Sequence, residues 1–249
     1  MESKERIERL FFELASESRM NILRQLHMKS LKMHELGENL DLTSTETFRQ
    51  LQRLSKDSFI VKDPDGIYKL TSFGELVLFL LPSFEFIFKY RQHLLNHDVW
   101  KLPKEFIFRI GELNRGTLKT EMLEAIQQIG EVINHAEEYI WTMTSQVFLS
   151  HGRAVEERCR EGVNFRSIHP RDMLPFEMEY PEIKHCMERR YLTKIAEVLV
   201  ITEKEAMLGL PLIGGKLDII AFFGNDPSFL KWTKDLYLYY WKQSEILKR

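Results

Sequence analysis

The 249-residue sequence predicts an α+β protein in three parts: a small helical unit closed by a β-hairpin over residues 1–74, a helical connector over 75–118, and an α/β domain over 119–249. Three observations predict it. Apolar residues recur at helical spacing early in the chain and give way to two short β-type runs around Asp65-Gly66. Residues 75–95 are apolar on almost every side. Beyond residue 119, helix and strand patterns alternate. A composition of 44% hydrophobic and 29% charged residues describes a globular chain with a core rather than a disordered tail. Two cysteines, Cys159 and Cys186, are too few for a disulfide framework, nothing at the start resembles a secretory leader, and the expected location is the cytoplasm.

In the first part, Ile7, Leu10, Phe11 and Leu14 share one helix face. A second helix follows in "SESRMNILRQL", with Ser16 or Ser18 as cap and Ile22, Leu23 and Leu26 inward, and a third in "KMHELGENL" buries Met33, Leu36 and Leu40. Next comes "LTSTETFRQLQRL", where Thr43-Ser44-Thr45-Glu46 has the form of a capping box. Thr47, Leu51 and Leu54 then lie on one face, and the opposite face is expected to carry Ser44, Thr45, Arg49, Gln50 and Arg53. Small hydroxyls at a helix start can approach phosphates closely, and Arg and Gln one turn later have the donor geometry for guanine or adenine edges. The short link "ENLDLTST" between compact helices is what a helix-turn-helix requires. "FIVK" and "GIYKLT" flank Asp63-Pro64-Asp65-Gly66, a strong hairpin signal. Alternation puts Phe59, Val61, Tyr68 and Leu70 on one side and Lys62, Ile67 and Lys69 on the other. Three helices, a capped fourth, a hairpin and a second capping box at Ser72–Glu75 make a winged-helix arrangement, with Lys62 and Lys69 available to a phosphate backbone.

Charge weighs against an extended basic surface. The formal net charge is −2, and residues 1–74 hold 12 Lys/Arg against 12 Asp/Glu, so any contact with double-stranded DNA has to come from local clustering. Winged helices also serve as protein-interaction modules, and the neutral charge keeps an adaptor without DNA binding as the alternative.

The stretches "LDLTSTETFRQLQRLSKDSFIVKDPDGIYKLTSFGELVL" and "HDVWKLPKEFIFRIGEL" resemble the archaeal winged-helix regulators typified by the methanogenesis regulatory proteins, relatives of the arsenic-repressor-type winged helices. The resemblance runs along nearly the whole chain. It implies a dimeric transcription regulator with an effector-sensing carboxy-terminal domain. It places the DNA-reading positions at Ser44, Thr45, Arg49, Gln50 and Arg53, with Lys62 and Lys69 in the wing. It also implies a degenerate phospholipase-D-like mixed sheet for the carboxy-terminal domain.

The connector "ELVLFLLPSFEFIFKYRQHLL" (75–95) needs burial on all sides, and a twin in a homodimer would supply it, since two half-sites demand a two-fold. Its apolar run, broken by Pro82 and Glu85, is shorter than the roughly 20 residues of a membrane span. Pro82 is expected to kink or break the helix. His93, His97 and Asp98 stand close in sequence, but a lone histidine pair reads as structural, and no metal site is expected.

In the last part, Met122, Ile126, Ile129, Ile133 and Ala136 mark a helix, followed by a strand at 139–144, a helix around "GRAVEERCREG", a strand at 163–169, a helical stretch at 182–192, and strands at 197–202, 206–213 and 217–223. A final helix starts at Asp226-Pro227. Phospholipase-D chemistry needs His, Lys and Asp at fixed spacing. His27-Met28-Lys29, His151-Gly152-Arg153 and His169-Pro170-Arg171 come near it, and each lacks the Asp. No catalytic residue and no cofactor is expected, and a degenerate phosphodiesterase is the weakest alternative. Ligands of open α/β sheets sit beyond the carboxyl ends of strands. Thr144, Ser145, Arg166 and His169 are therefore the candidate contacts for a small anionic or hydroxylated effector.

Overall fold

The computed structural model describes residues 7–145, 151–172, 187–215, 218 and 220–246. It divides into two compact units, Met1–Pro82 and Ser83–Arg249. The division falls inside the connector, whereas the sequence pattern divides at residues 74 and 118.

Unit 1 runs α1 (Ile7–Leu14), α2 (Glu17–Met28), β1 (Leu31–Lys32), α3 (Met33–Leu40), α4 (Ser44–Lys56), β2 (Ile60–Lys62), β3 (Ile67–Leu70) and the first part of α5 (Ser72–Lys89). This is a winged helix. Ile22, Leu23, Leu36, Leu51, Leu54 and Phe59 form its core, each burial worth roughly 1.5–3 kcal/mol. The turn between α3 and α4 is made by Asp41 in the left-handed region (φ 52°), and the Leu42 N–H donates to the Gly37 carbonyl at 2.9 Å. Thr43 caps α4, its Oγ1 accepting the Glu46 N–H at 3.2 Å. The second cap falls one residue earlier than expected: Thr71 rather than Ser72 accepts, from the Gly74 N–H at 3.0 Å. Gly74 is required there, because a Cβ would stand 2.2 Å from the Phe59 carbonyl oxygen.

The wing is an antiparallel sheet in the order β1-β3-β2. Its turn is held by Asp63, whose Oδ1 accepts the N–H groups of Asp65 (3.0 Å) and Ile67 (2.9 Å), and by Gly66 at φ 82°. Here the alternation needs correcting. Phe59 and Ile60 are both buried and Val61 is exposed. Ser58, at φ 61°, turns the chain just before the strand, so Phe59 lies outside its phase and packs on Phe73 (5.1 Å between rings).

Unit 2 continues with α6 (Arg91–Leu94), α7 (Lys104–Phe108), β4 (Thr117–Lys119), α8 (Met122–Asn134), β5 (Tyr139–Met143), α9 (Gly152–Arg160), β6 (Asn164–Pro170), β7 (Met187–Leu192), β8 (Val198–Ile201), β9 (Ala206–Gly209), β10 (Ala221–Gly224) and α10 (Pro227–Gln243). Among the described residues a seven-stranded mixed sheet runs β4-β10-β9-β8-β5-β6-β7. The β5, β6 and β7 strands are parallel and the remaining pairs antiparallel. One face packs on α8 and α9 through Ala125, Ile129, Val132, Val155 and Cys159. The other packs on α10 through Phe229, Trp232, Leu236 and Tyr237, joined by Phe86, Tyr90 and Phe106.

Within 182–192, expected as helix, residues 187–192 form β7, the edge strand beside β6. The run "MERRYL" tolerates charge because an edge strand leaves side chains partly solvated. Residues 182–186 lie outside the described residues. The strand expected at 206–213 ends at Gly209, where the chain leaves the sheet: Asp98 N–H donates to Pro211 O (2.9 Å) and Ile213 N–H to Asn96 O (3.0 Å). Helix α5 runs through Pro82 without a break. As expected, Asp226 caps α10, accepting the Ser228 N–H at 2.9 Å, with Pro227 at its first position.

Candidate nucleic-acid interface

Helix α4 has two sides. Thr47, Gln50, Leu51 and Leu54 are buried; Ser44, Thr45, Phe48, Arg49, Gln52, Ser55 and Lys56 are exposed. The outward set follows helical spacing, with Thr45, Arg49, Gln52 and Lys56 in one line. Ser44, Thr45 and Arg49 therefore stand where the sequence places them. The Arg49 guanidinium is only 4.0 Å from Glu46 and largely exposed, a contact worth little in water.

Gln50 does not share that face. It is 6% exposed, and its Oε1 accepts from Arg19 Nη1 at 3.2 Å. Polar character assigned it outward; a buried arginine 31 residues away holds it inward, and Gln52 occupies the outward position instead. Arg53 is half-committed. Its Nη2 pairs with Glu13 Oε1 at 2.6 Å, its guanidinium lies 5.2 Å over the Phe12 ring, and the Glu13 hydrogen bond holds its pKa above the usual value.

These contacts belong to one network. Arg19, 5% exposed, pairs with the Glu13 carboxylate at 2.8 Å and donates to the carbonyls of Glu13 (2.9 Å) and Phe12 (2.8 Å). Burial pulls its pKa down, and the nearby Glu13 opposes the shift. Glu13 is thus the buried residue of α1, while Ile7 and Phe11, on the apolar face that the spacing marks, are exposed. The network ties α1 to the back of α4 and fixes which α4 side chains face out.

In the wing, Lys62 and Lys69 are both exposed. The Lys62 ammonium stands 5.5 Å over the Tyr68 ring, and Lys69 lies directly across from Val61.

The candidate effector residues of unit 2 separate onto two faces of the sheet. Thr144 and His169 come together, with His169 Nδ1 3.1 Å from the Thr144 carbonyl oxygen. Ser145 follows, half-buried. Burial, and then the charge of Arg189, push the His169 pKa down to about 4. Arg166 is on the opposite face, 5.3 Å over Trp141 and 5.2 Å over Trp241. Arg189 and Arg190 were not anticipated, because 187–192 read as helix. Of the near-phospholipase positions, His151 is buried with Nε2 3.0 Å from the Ile126 carbonyl oxygen. His93 and His97 stack at 3.6 Å; His97 contacts His93 O (2.6 Å) and Asp218 (3.0 Å), not Asp98. Burial and the neighbouring His97 lower His93 to about 4.

Residues 7–86 match the family described as "HVO_A0261 N-terminal domain". No curated protein matches the chain. Among solved structures, similarity is found to TrmBL2, described as an archaeal chromatin protein with a novel mode of DNA binding (14% identity, 96% of this chain and 99% of that one, TM-score 0.45). NucT from Helicobacter pylori also matches (13% identity, 53% of this chain and 98% of that one, TM-score 0.43). So does an O-methyltransferase family protein from Burkholderia thailandensis (10% identity, 78% of this chain and 62% of that one, TM-score 0.29). Scores of this size carry no argument about what this chain binds.

Proposed function

We propose that the chain is a DNA-binding transcription regulator that reads an operator as a homodimer and answers to a small molecule held by unit 2. The observation that carries the proposal is the outward line of α4: Thr45, Arg49, Gln52 and Lys56 on a helix whose other side is locked into the core. A helix presented this way in a winged helix has the shape and donors to enter a major groove. Lys62 and Lys69 are placed to meet phosphates. The resemblance to archaeal winged-helix regulators agrees with this role.

The homodimer reading rests on the connector 75–95. Leu76, Phe79, Leu80, Phe84, Ile87 and Phe88 are all exposed along α5, a larger apolar face than a lone chain ordinarily shows water. A second copy would cover it and set two recognition helices at a fixed spacing. No helix among the described residues is long and apolar enough to cross a membrane. The effector would act by shifting that spacing, a coupling between two sites. The proposed role includes no catalysis, no metal and no cofactor, and its place is the cytoplasm.

One observation favours a protein-binding adaptor instead: Phe48 stands 49% exposed in the middle of the α4 face. Fluorescence anisotropy with DNA from the region upstream of its own gene separates the two. A DNA reader shows affinity that falls steeply with salt; an adaptor shows none. Sedimentation of Phe79→Glu tests the dimer, which is expected to dissociate.

A further inference from the structure

On the α10 face of unit 2, Trp141, Arg166 and Glu188 lie side by side across β5, β6 and β7. The Tyr237 ring stacks on Trp141 (5.2 Å) and on Trp241 (5.7 Å). Arg190 caps the Trp241 ring at 4.3 Å, and Lys234 stands 5.1 Å over Trp141. Three cations thus gather on one aromatic wall. Glu188, the carboxylate that the two arginines share, bonds Arg190 at 2.8 Å and lies 3.7 Å from Arg166 Nε, too far for a hydrogen bond. Lys234 donates to the Tyr139 hydroxyl at a long 3.4 Å.

Among the described residues, two donors here make no hydrogen bond although their atoms are buried: Arg166 Nε and the Tyr237 hydroxyl. Tyr237 is 0% exposed, and the charges of Arg166, Glu188 and Arg190 act on its hydroxyl. Leaving either donor unmet is costly. A water molecule would satisfy the hydrogen bonds but not the surplus of positive charge; an anionic oxygen does both. We propose that Arg166, Arg190 and Tyr237 form a binding site for the oxyanion group, phosphate or carboxylate, of a small metabolite. The Trp141–Tyr237–Trp241 stack forms its dry wall. This deepens the sensing role proposed above and rests on it only for what the site is used for.

Trp141 and Trp241 make the site self-reporting. Tryptophan fluorescence of the full chain is titrated with inorganic phosphate and, separately, with sodium acetate, each against sodium chloride at matched ionic strength. A saturable change with phosphate or with acetate, absent with chloride, is expected, and the anion that produces it names the group. Arg166→Gln, at a partly exposed side chain whose loss leaves the core intact, should weaken it about tenfold or more, the size of one charge-assisted hydrogen bond. Tyr237→Phe should weaken it several-fold while the melting temperature holds or rises. Responses to both anions that merely track chloride, or a saturable response identical in Arg166→Gln, overturn the site. A saturable response lost in Arg166→Gln that leaves DNA affinity unchanged supports the site and removes its proposed regulatory use.

Discussion

The two units both hold arginines against other side chains, one buried and two partly exposed, and they do it in opposite ways. In unit 1, Arg19 is surrounded by acceptors: the Glu13 carboxylate, two backbone carbonyls and Gln50. In unit 2, Arg166 and Arg190 rest on aromatic faces and share one carboxylate with each other. The first arrangement is closed, so its consequence is geometric: it fastens α1 to α4 and sets which side of α4 faces out. The second is open, with charge and donors to spare, so its consequence is binding. An arginine packed against its neighbours is therefore read by counting its acceptors rather than by noting its burial.

The largest test of that contrast is Arg19→Ala. It leaves Glu13 buried beside Arg53 alone, and breaking a buried pair costs about 3–5 kcal/mol. Chemical denaturation should show unit 1 destabilised by that amount, whereas Arg166→Ala should cost unit 2 much less. A comparable loss at both sites would erase the distinction.

Next in size is a pH effect in unit 2. Glu197 is buried against the Tyr240 hydroxyl at 3.1 Å, and burial pushes its carboxyl up to about 7. A raised pKa means the folded state holds the proton more tightly than the unfolded chain. That stability is fully present below the unfolded value near 4.5 and is lost as pH rises through about 7. His93 and His169, lowered to about 4, act with the opposite sign: their contribution is present above about 6.5 and lost as pH falls toward 4. Glu197→Gln should remove only the first effect, about 3 kcal/mol between pH 4.5 and 7. Melting curves across that range would show it, and an unchanged profile would mean that Glu197 is ionised when folded.

Smaller again is the cost of Arg49→Ala to operator binding, about 1–3 kcal/mol for a lost base contact. Lys62→Ala should weaken all DNA alike and lower the salt slope by about one unit. The same anisotropy titrations give both numbers.

Much of unit 1 was legible in the sequence. Leu51 and Leu54 at helical spacing place the inner side of α4, and Asp65-Gly66 places the wing turn, because both signals are local. Gln50 was not legible. Its reason for facing inward is Arg19, and Arg19 is buried because of Glu13, a chain of partners that spacing along α4 cannot show. β1 and β4 have two and three residues, too few to alternate. β7 failed differently: "MERRYL" carries its charge in the middle, which suits an edge strand as well as a helix, and only the register with β6 decides. The candidate contacts of unit 2 suffered most, since Arg166 and His169 are three residues apart on one strand and so face opposite ways. The Arg166 site depends on Tyr237 and Trp241, some seventy residues further on.

The most direct measurement of the central claim is binding of wild type and Arg49→Ala to DNA from the chain's own upstream region, followed by anisotropy across a salt series. If the outward face of α4 reads DNA, wild type binds with a steep salt dependence and Arg49→Ala binds about 10- to 100-fold more weakly at each salt concentration. Equal affinity for the two proteins, or no salt-dependent binding by wild type, would contradict it.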